Sequence, residues 1–316
     1  MAELQKAQQR RKNTRRGLVA GGIVLIALIL ALVTGGVFSG NSNKNNVSAT
    51  GNGATTSTST SASGATSATT AASSGTTIAP LPGNALDTHL VARTSPAISA
   101  DCNVTPGAAS TAGNKPASGN AVAVIHAPAK VPFPKLDGSS PHYTAFSSAP
   151  PFCIDVNKTY TATITTDAGV ITMELLPKFA PVTVNNFAFL AGYHFYDGVV
   201  FHRVIQGFMN QTGDPEGTGS GGPGYEFKDE LPKSAAAYDN GAVAMANSGP
   251  NTNGSQFFIV VNRGGAELSP AYTMFGQVTR GLNVAAAINA GGSAPTSQTG
   301  TPTTMHKIIS IKVTES

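Results

Sequence analysis

Between Phe38 and Phe133 the chain has no aromatic side chain, and from Ser39 to Leu86 its only charged residue is Lys44. A stretch without large apolar groups cannot offset the entropy of ordering its backbone, so it builds no packed core. Whatever folds must therefore draw on the C-terminal half. All seven tyrosines lie from Tyr143 onward, together with most of the phenylalanines. About 155 residues are enough for one well-buried core. The low charged fraction of 11%, against roughly 25% in ordinary soluble domains, has its main source in the same poor stretch.

The N terminus carries a different signal. Lys6, Arg10, Arg11, Lys12, Arg15 and Arg16 against Glu3 give +5 in the first 16 residues; the whole chain is +4, so the rest sums to −1. No basic surface remains for nucleic acid, and no such partner is expected. The cluster instead flanks Gly17–Phe38, 22 residues without a charge. At about 1.5 Å per residue that run spans a hydrocarbon core of about 30 Å. Basic residues on its N-terminal side keep that end cytoplasmic and send the remainder outward. The sequence thus predicts a basic tail at 1–16 and a single-pass membrane helix at 17–38. A cleaved secretory signal is the competing reading. Its apolar region is usually about 7–15 residues, and Gly35-Gly36-Val37-Phe38-Ser39 is a poor cleavage site. Either way the domain lies outside the cytoplasm.

Residues 39–80 are rich in Ser, Thr, Ala and Gly with no hydrophobic period, and read as a flexible stalk with a reach of about 35–40 Å. Residues 81–155 are Pro-rich, with Val122–Ile125 as one candidate strand, and are expected to lie as an extended collar against the domain that follows. The only two cysteines, Cys102 and Cys153, fall here without metal-ligand or Cys-x-x-Cys spacing. In an oxidising compartment they are predicted to pair, closing a loop of about 52 residues and restricting the unfolded chain by roughly 4 kcal/mol. Two free thiols are the alternative.

From residue 156 on, periodicity takes over. Tyr160–Thr166 and Val170–Leu176 alternate around Asp167-Ala168-Gly169, predicting a hairpin. Pro181 opens a run in which Val184, Phe187, Ala188 and Ala191 share one helical face, and Gly192 closes it. Strand-like runs follow at 199–205, 208–212, 242–246, 256–261 and 273–278, then a helical patch at 282–290 and a last strand within 305–313. About eight short strands with two helices predict a mostly β domain, a closed eight-stranded antiparallel barrel capped by the helices.

Three segments say more. They are Phe201-His202-Arg203-Val204-Ile205-Gln206-Gly207-Phe208-Met209-Asn210-Gln211, then Met245-Ala246-Asn247-Ser248-Gly249-Pro250-Asn251-Thr252-Asn253-Gly254-Ser255-Gln256-Phe257-Phe258, then Tyr272-Thr273-Met274-Phe275-Gly276-Gln277-Val278. In this order and spacing they resemble the cyclophilins, peptidyl-prolyl cis/trans isomerases, over about Tyr160 to Val313. Taken singly, an Arg in an apolar strand is a surface or ion-paired residue and a Phe-Met pair is core. The joint pattern reverses that.

The resemblance implies rotation about X-Pro bonds in proline-containing polypeptides, with no metal and no organic cofactor. Arg203 matches the catalytic arginine and Gln211 the glutamine that positions it. Phe208, Met209, Phe258 and Leu268 match the apolar proline pocket. Ala246, Asn247 and Gln256 match the edge that takes the neighbouring peptide. Tyr272 stands where many members have histidine and can still wall the pocket. Glu267 stands where many have tryptophan, which implies weak cyclosporin binding. A monomer is the default. A binding module that holds proline-containing segments without turning them over is the alternative function.

Other polar residues fit no site. The stretch Gly217–Gly224 lacks the following Lys-Ser/Thr of a phosphate loop, and in the family it is a loop beside the groove. Strand alternation puts His202 opposite Arg203, as a packing or hydrogen-bonding residue. His194 and His306 show no ligand spacing.

Overall fold

The computed structural model describes residues 88–103, 119–262, 268–297 and 299–316. The predicted membrane helix at 17–38 and the stalk at 39–80 lie outside them. Among the described residues no helix is long and apolar enough to cross a membrane.

The periodic segments form strands and helices close to where alternation placed them. Strands β1 (Tyr160–Thr166) and β2 (Gly169–Leu175) make the hairpin, with Thr166 opposite Gly169. Helix α1 (Pro181–Gly192) follows, then β3 (Arg203–Ile205), β4 (Met209–Thr212), β5 (Ala242–Met245), β6 (Phe257–Val260) and β7 (Met274–Arg280). Helix α2 (Leu282–Ala290) and β8 (Ile308–Glu315) complete the order. All eight strands join one sheet in the order β3-β4-β6-β5-β7-β2-β1-β8, and every pairing is antiparallel.

The eight strands of the predicted barrel are present, and its edge strands β3 and β8 share no ladder. The start of β8 meets the segment just before β3 instead, at the bridge Val200–Lys307 and through backbone bonds from Gly198 to the Ile308 carbonyl, from Ile308 to that of Val199 and from Phe201 to that of His306. The run expected as strand from residue 199 becomes one only at Arg203. The outer edge of β3 is taken by the loop after α2: Val204 donates to the Gly300 carbonyl and Gln206 to that of Ser293. With those groups paired, β8 bonds the residues before β3 rather than β3 itself.

Both faces of the central strands are buried, so successive residues feed two apolar clusters. Val243, Met245, Phe257, Ile259 and Phe275 enter the larger one, while Ala242, Ala244, Phe258, Val260 and Met274 enter the smaller. In the larger cluster the Phe187 ring lies 5.3 Å from Tyr196, 5.6 Å from Phe257 and 5.2 Å from Phe275. Such pairs contribute about 0.5–1.5 kcal/mol each beyond their buried area.

Helix α1 has Pro at its start, where the missing N–H costs nothing, but its N-cap residue Ala180 supplies no side-chain acceptor. Glu230 does so from far along the chain. Its carboxylate accepts from the N–H groups of Val182 (3.2 Å) and Thr183 (2.9 Å) and from the Thr183 hydroxyl (2.8 Å).

The segment before β1 is tied to this frame. Leu90 is 2% exposed, within the smaller cluster. Arg93 donates to the carbonyls of Phe179 (3.0 Å) and Leu231 (2.9 Å). Cys102 and Cys153 form the expected disulfide. Val122–Ile125 is not a strand. The Val122 N–H goes to the Pro215 carbonyl and the Ile125 N–H to the Thr144 hydroxyl, which leaves only isolated bridges, at Val124 and at His126–Ala145.

Candidate active site

A short hairpin carries the first two site residues. Gly207, at φ 73°, turns the chain between β3 and β4 in a conformation that suits glycine. The resulting register sets Arg203 directly opposite Gln211, with Ile205 opposite Met209. Residues two apart on one strand share a face. Arg203 and Ile205 therefore face the same way as Met209 and Gln211, toward the smaller cluster.

That cluster gathers the predicted slot. Met209 (2% exposed) and Phe258 (5%) are buried, and Phe208, Ala246, Leu268 and Tyr272 pack against them half-buried. The Phe258 and Tyr272 rings meet edge-to-face at 5.5 Å. Tyr272 is held through its backbone, since the Tyr238 hydroxyl donates to its carbonyl (2.7 Å) and accepts from its N–H (3.0 Å). Asn247 donates to the Ala271 carbonyl at 2.8 Å, which anchors the segment before Tyr272 to the rim. Glu267 lies outside the described residues.

A polar relay borders the slot. Arg203 Nη1 donates to Gln211 Oε1 (3.2 Å), Gln211 Nε2 to Gln256 Oε1 (2.9 Å), and Gln256 Nε2 to the carbonyls of Gly219 (3.0 Å) and Gly221 (2.9 Å). Arg203 makes no ion pair among the described residues. A guanidinium has five N–H donors, and among the described residues this one bonds only Gln211. Burial lowers its pKa, while the nearby Tyr272 hydroxyl opposes that shift. Arg203 nevertheless stays charged, because a guanidinium does not deprotonate in proteins. A permanent cation is thus held half-buried beside an apolar slot, with donors to spare. It can stabilise electron density that develops on a ligand lying in the slot.

His202 is buried. It precedes β3, and its ring stands about 3.6 Å from where a Cβ on Gly219 would lie, beside the glycine-rich loop. Burial lowers its pKa against the pull of Asp214. His194 pairs with Asp197 and His306 with Asp167, each at 3.0 Å.

Two supporting residues escaped the sequence reading. Asn289 of α2 donates to the carbonyls of Ile205 (2.9 Å) and Met209 (3.3 Å) and to Asn210 Oδ1 (2.8 Å), and accepts from the Gly207 N–H (2.7 Å). One buried amide thus pins the whole Arg203 hairpin. The available signal was a lone polar residue on the apolar face of Leu282–Ala290. Gly300 lies under the Arg203 stem, where a Cβ would sit 2.6 Å from Arg203 Cγ. Nothing in its surrounding sequence signals that role.

Comparison with known proteins places the site in context. Residues 161–313 match the family model for cyclophilin type peptidyl-prolyl cis-trans isomerase/CLD. Over 119 residues the chain is 50% identical to peptidyl-prolyl cis-trans isomerase B of Bacillus subtilis, a match covering 38% of this chain and 82% of that protein. It is 43% identical over 153 residues to peptidyl-prolyl cis-trans isomerase-like 1 of Neurospora crassa, covering 48% and 91%. A solved cyclophilin type isomerase from Cryptosporidium parvum is 32% identical, with 49% of this chain and 98% of that one covered and a TM-score of 0.44.

Proposed function

The chain belongs to the cyclophilin-type peptidyl-prolyl cis-trans isomerases and has their activity; from that premise we propose that Arg203 performs the catalysis, on X-Pro bonds of polypeptides outside the cytoplasm. The amide resists rotation with a barrier of about 18–20 kcal/mol because its C–N bond is conjugated. When the bond twists, conjugation is lost, and the prolyl nitrogen pyramidalises and regains a lone pair. No nucleophile is needed. A donor that meets the twisted amide more strongly than the flat one lowers the barrier.

The half-buried guanidinium of Arg203, which makes no ion pair among the described residues, carries this reading. The proline ring fits the slot of Phe208, Met209, Phe258 and Leu268, walled by Tyr272. Gln211 orients the cation, while Ala246, Asn247 and Gln256 hold the adjoining peptide. The assay is cis/trans isomerisation of a proline peptide by the whole chain and by Arg203→Ala. Loss of about 100- to 1000-fold in kcat/KM is expected, the range for removing one preorganised donor. A folded variant of undiminished activity would remove Arg203 from the mechanism.

The proposed location is supported by the apolar 17–38 run with its +5 flank, and by a disulfide of the kind that persists in oxidising compartments. Protease added outside intact cells should remove the isomerase domain from its anchor; full protection would place the domain inside. Cyclosporin binding is expected to be weak, since Glu267 replaces a large aromatic contact, and the protein is expected to be a monomer.

A further inference from the structure

The loop from Gly213 to Gly224 contains six glycines. Such a backbone has wide conformational freedom, so the loop alone does not fix where its carbonyls point. Three holds do. Asp214 braces it from within, accepting from the N–H groups of Glu216 (2.8 Å), Thr218 (2.9 Å) and Gly219 (2.6 Å). Gln256 holds the centre through the Gly219 and Gly221 carbonyls. Both shoulders are held by the segment before the family-matched region: Val122 N–H donates to the Pro215 carbonyl (2.7 Å) and Phe146 N–H to the Pro223 carbonyl (2.8 Å). The backbones are in close contact there. A Cβ on Gly224 would overlap the Phe146 carbonyl, and one on Gly217 would lie 3.3 Å from that of Asn120.

The loop carbonyls set the direction of the relay. Because they accept, the Gln256 amide must turn its NH₂ toward them and its oxygen toward Gln211. Gln211 must then turn its own NH₂ toward Gln256 and its oxygen toward Arg203. If the carbonyls withdraw, either amide can flip and present a donor to a donor, and the guanidinium loses its anchor.

We propose that residues 119–147 are a positioning element for the isomerase site, holding the glycine-rich loop so that the Gln256–Gln211 relay orients Arg203. This rests on the Arg203 reading above. Val122→Pro deletes the N–H that bonds Pro215 and leaves every site residue unsubstituted. In the full chain it is expected to lower kcat/KM about threefold to tenfold, less than the ~100-fold that a 1 Å misplacement can cost. The loss should fall mainly on kcat, with shifts in the Gln211 and Gln256 side-chain amide resonances. A folded Val122→Pro variant with wild-type kcat/KM and unmoved amide resonances overturns the proposal. Should that variant fail to fold, hydrogen exchange on the unaltered protein decides. Saturation with an Ala-Pro peptide is expected to slow exchange at the Val122 and Phe146 amides, and exchange indifferent to the peptide overturns the proposal. An active Arg203→Ala variant would instead bring down the underlying reading, so the two failures are distinct.

Discussion

The two faces of the central sheet are built from alternate residues of the same strands, yet they do different work. Phe257 faces the larger cluster and is fully buried, with aromatic rings of Phe187, Tyr196 and Phe275 around it. Its neighbour Phe258 faces the smaller cluster and meets Tyr272 at the rim of the slot. The larger cluster is sealed by α1 and α2. The smaller one ends at a polar border of Arg203, Gln211 and Gln256. One residue along a strand is thus the difference between a group that holds the fold and one that lines the proposed slot.

The sharpest way to break this contrast is Phe257→Ala. Emptying a fully buried aromatic site is expected to cost about 3–5 kcal/mol of stability, read by urea denaturation. The surviving folded fraction should keep its kcat/KM. An equal loss of activity per folded molecule would mean that the faces are not separable.

Asn289→Leu probes the link between faces, since α2 uses this amide to pin the Arg203 hairpin. Leaving the Ile205 and Met209 carbonyls and the Gly207 N–H without their buried partner is expected to cost about 1–3 kcal/mol. Here activity per folded molecule should fall as well. Gly300→Ala acts on the site side alone. Its methyl would press on the Arg203 stem at a position with φ 68°. It is expected to cost about 1–2 kcal/mol in backbone strain and about tenfold in kcat/KM through displaced geometry.

The smallest effect concerns pH and the sealed face. Burial is the main influence on Glu230 and raises its pKa, against the bonds from Thr183 and Val182. The folded state therefore holds this proton to higher pH than the unfolded chain. The associated stability is full below the ordinary carboxylate pKa and is lost as pH rises through the raised one. Glu230→Gln should flatten that part of the stability–pH curve without moving the activity profile. An unchanged slope would assign it to another group.

Much of the fold was legible because its signals are local. Alternation marked Tyr160–Thr166 and its hairpin partner, and the 3.6-residue period marked α1. The predicted slot residues do assemble around Phe258, because the motifs fall on strands whose register alternation fixes. What escaped depends on partners far along the chain. Glu230 caps a helix that begins 49 positions earlier, at Pro181, and Arg93 bonds Leu231 across 138 residues. The Val122–Ile125 run read as a strand because its composition suits one. Its backbone donors were claimed by Pro215 and the Thr144 side chain, which no local pattern announces. That β8 meets residues 198–201 rather than β3 has a like reason, since Gly300 and Ser293 occupy the outer edge of β3.

The central claim is that Arg203 favours the twisted bond over the flat one, and NMR exchange on a proline peptide reads both sides of that difference. The account predicts that Arg203→Ala slows cis/trans exchange on the enzyme by about 100-fold or more while peptide Kd changes little. A variant in which Kd weakens by as much as the rate falls would make Arg203 a ground-state contact, and contradict it.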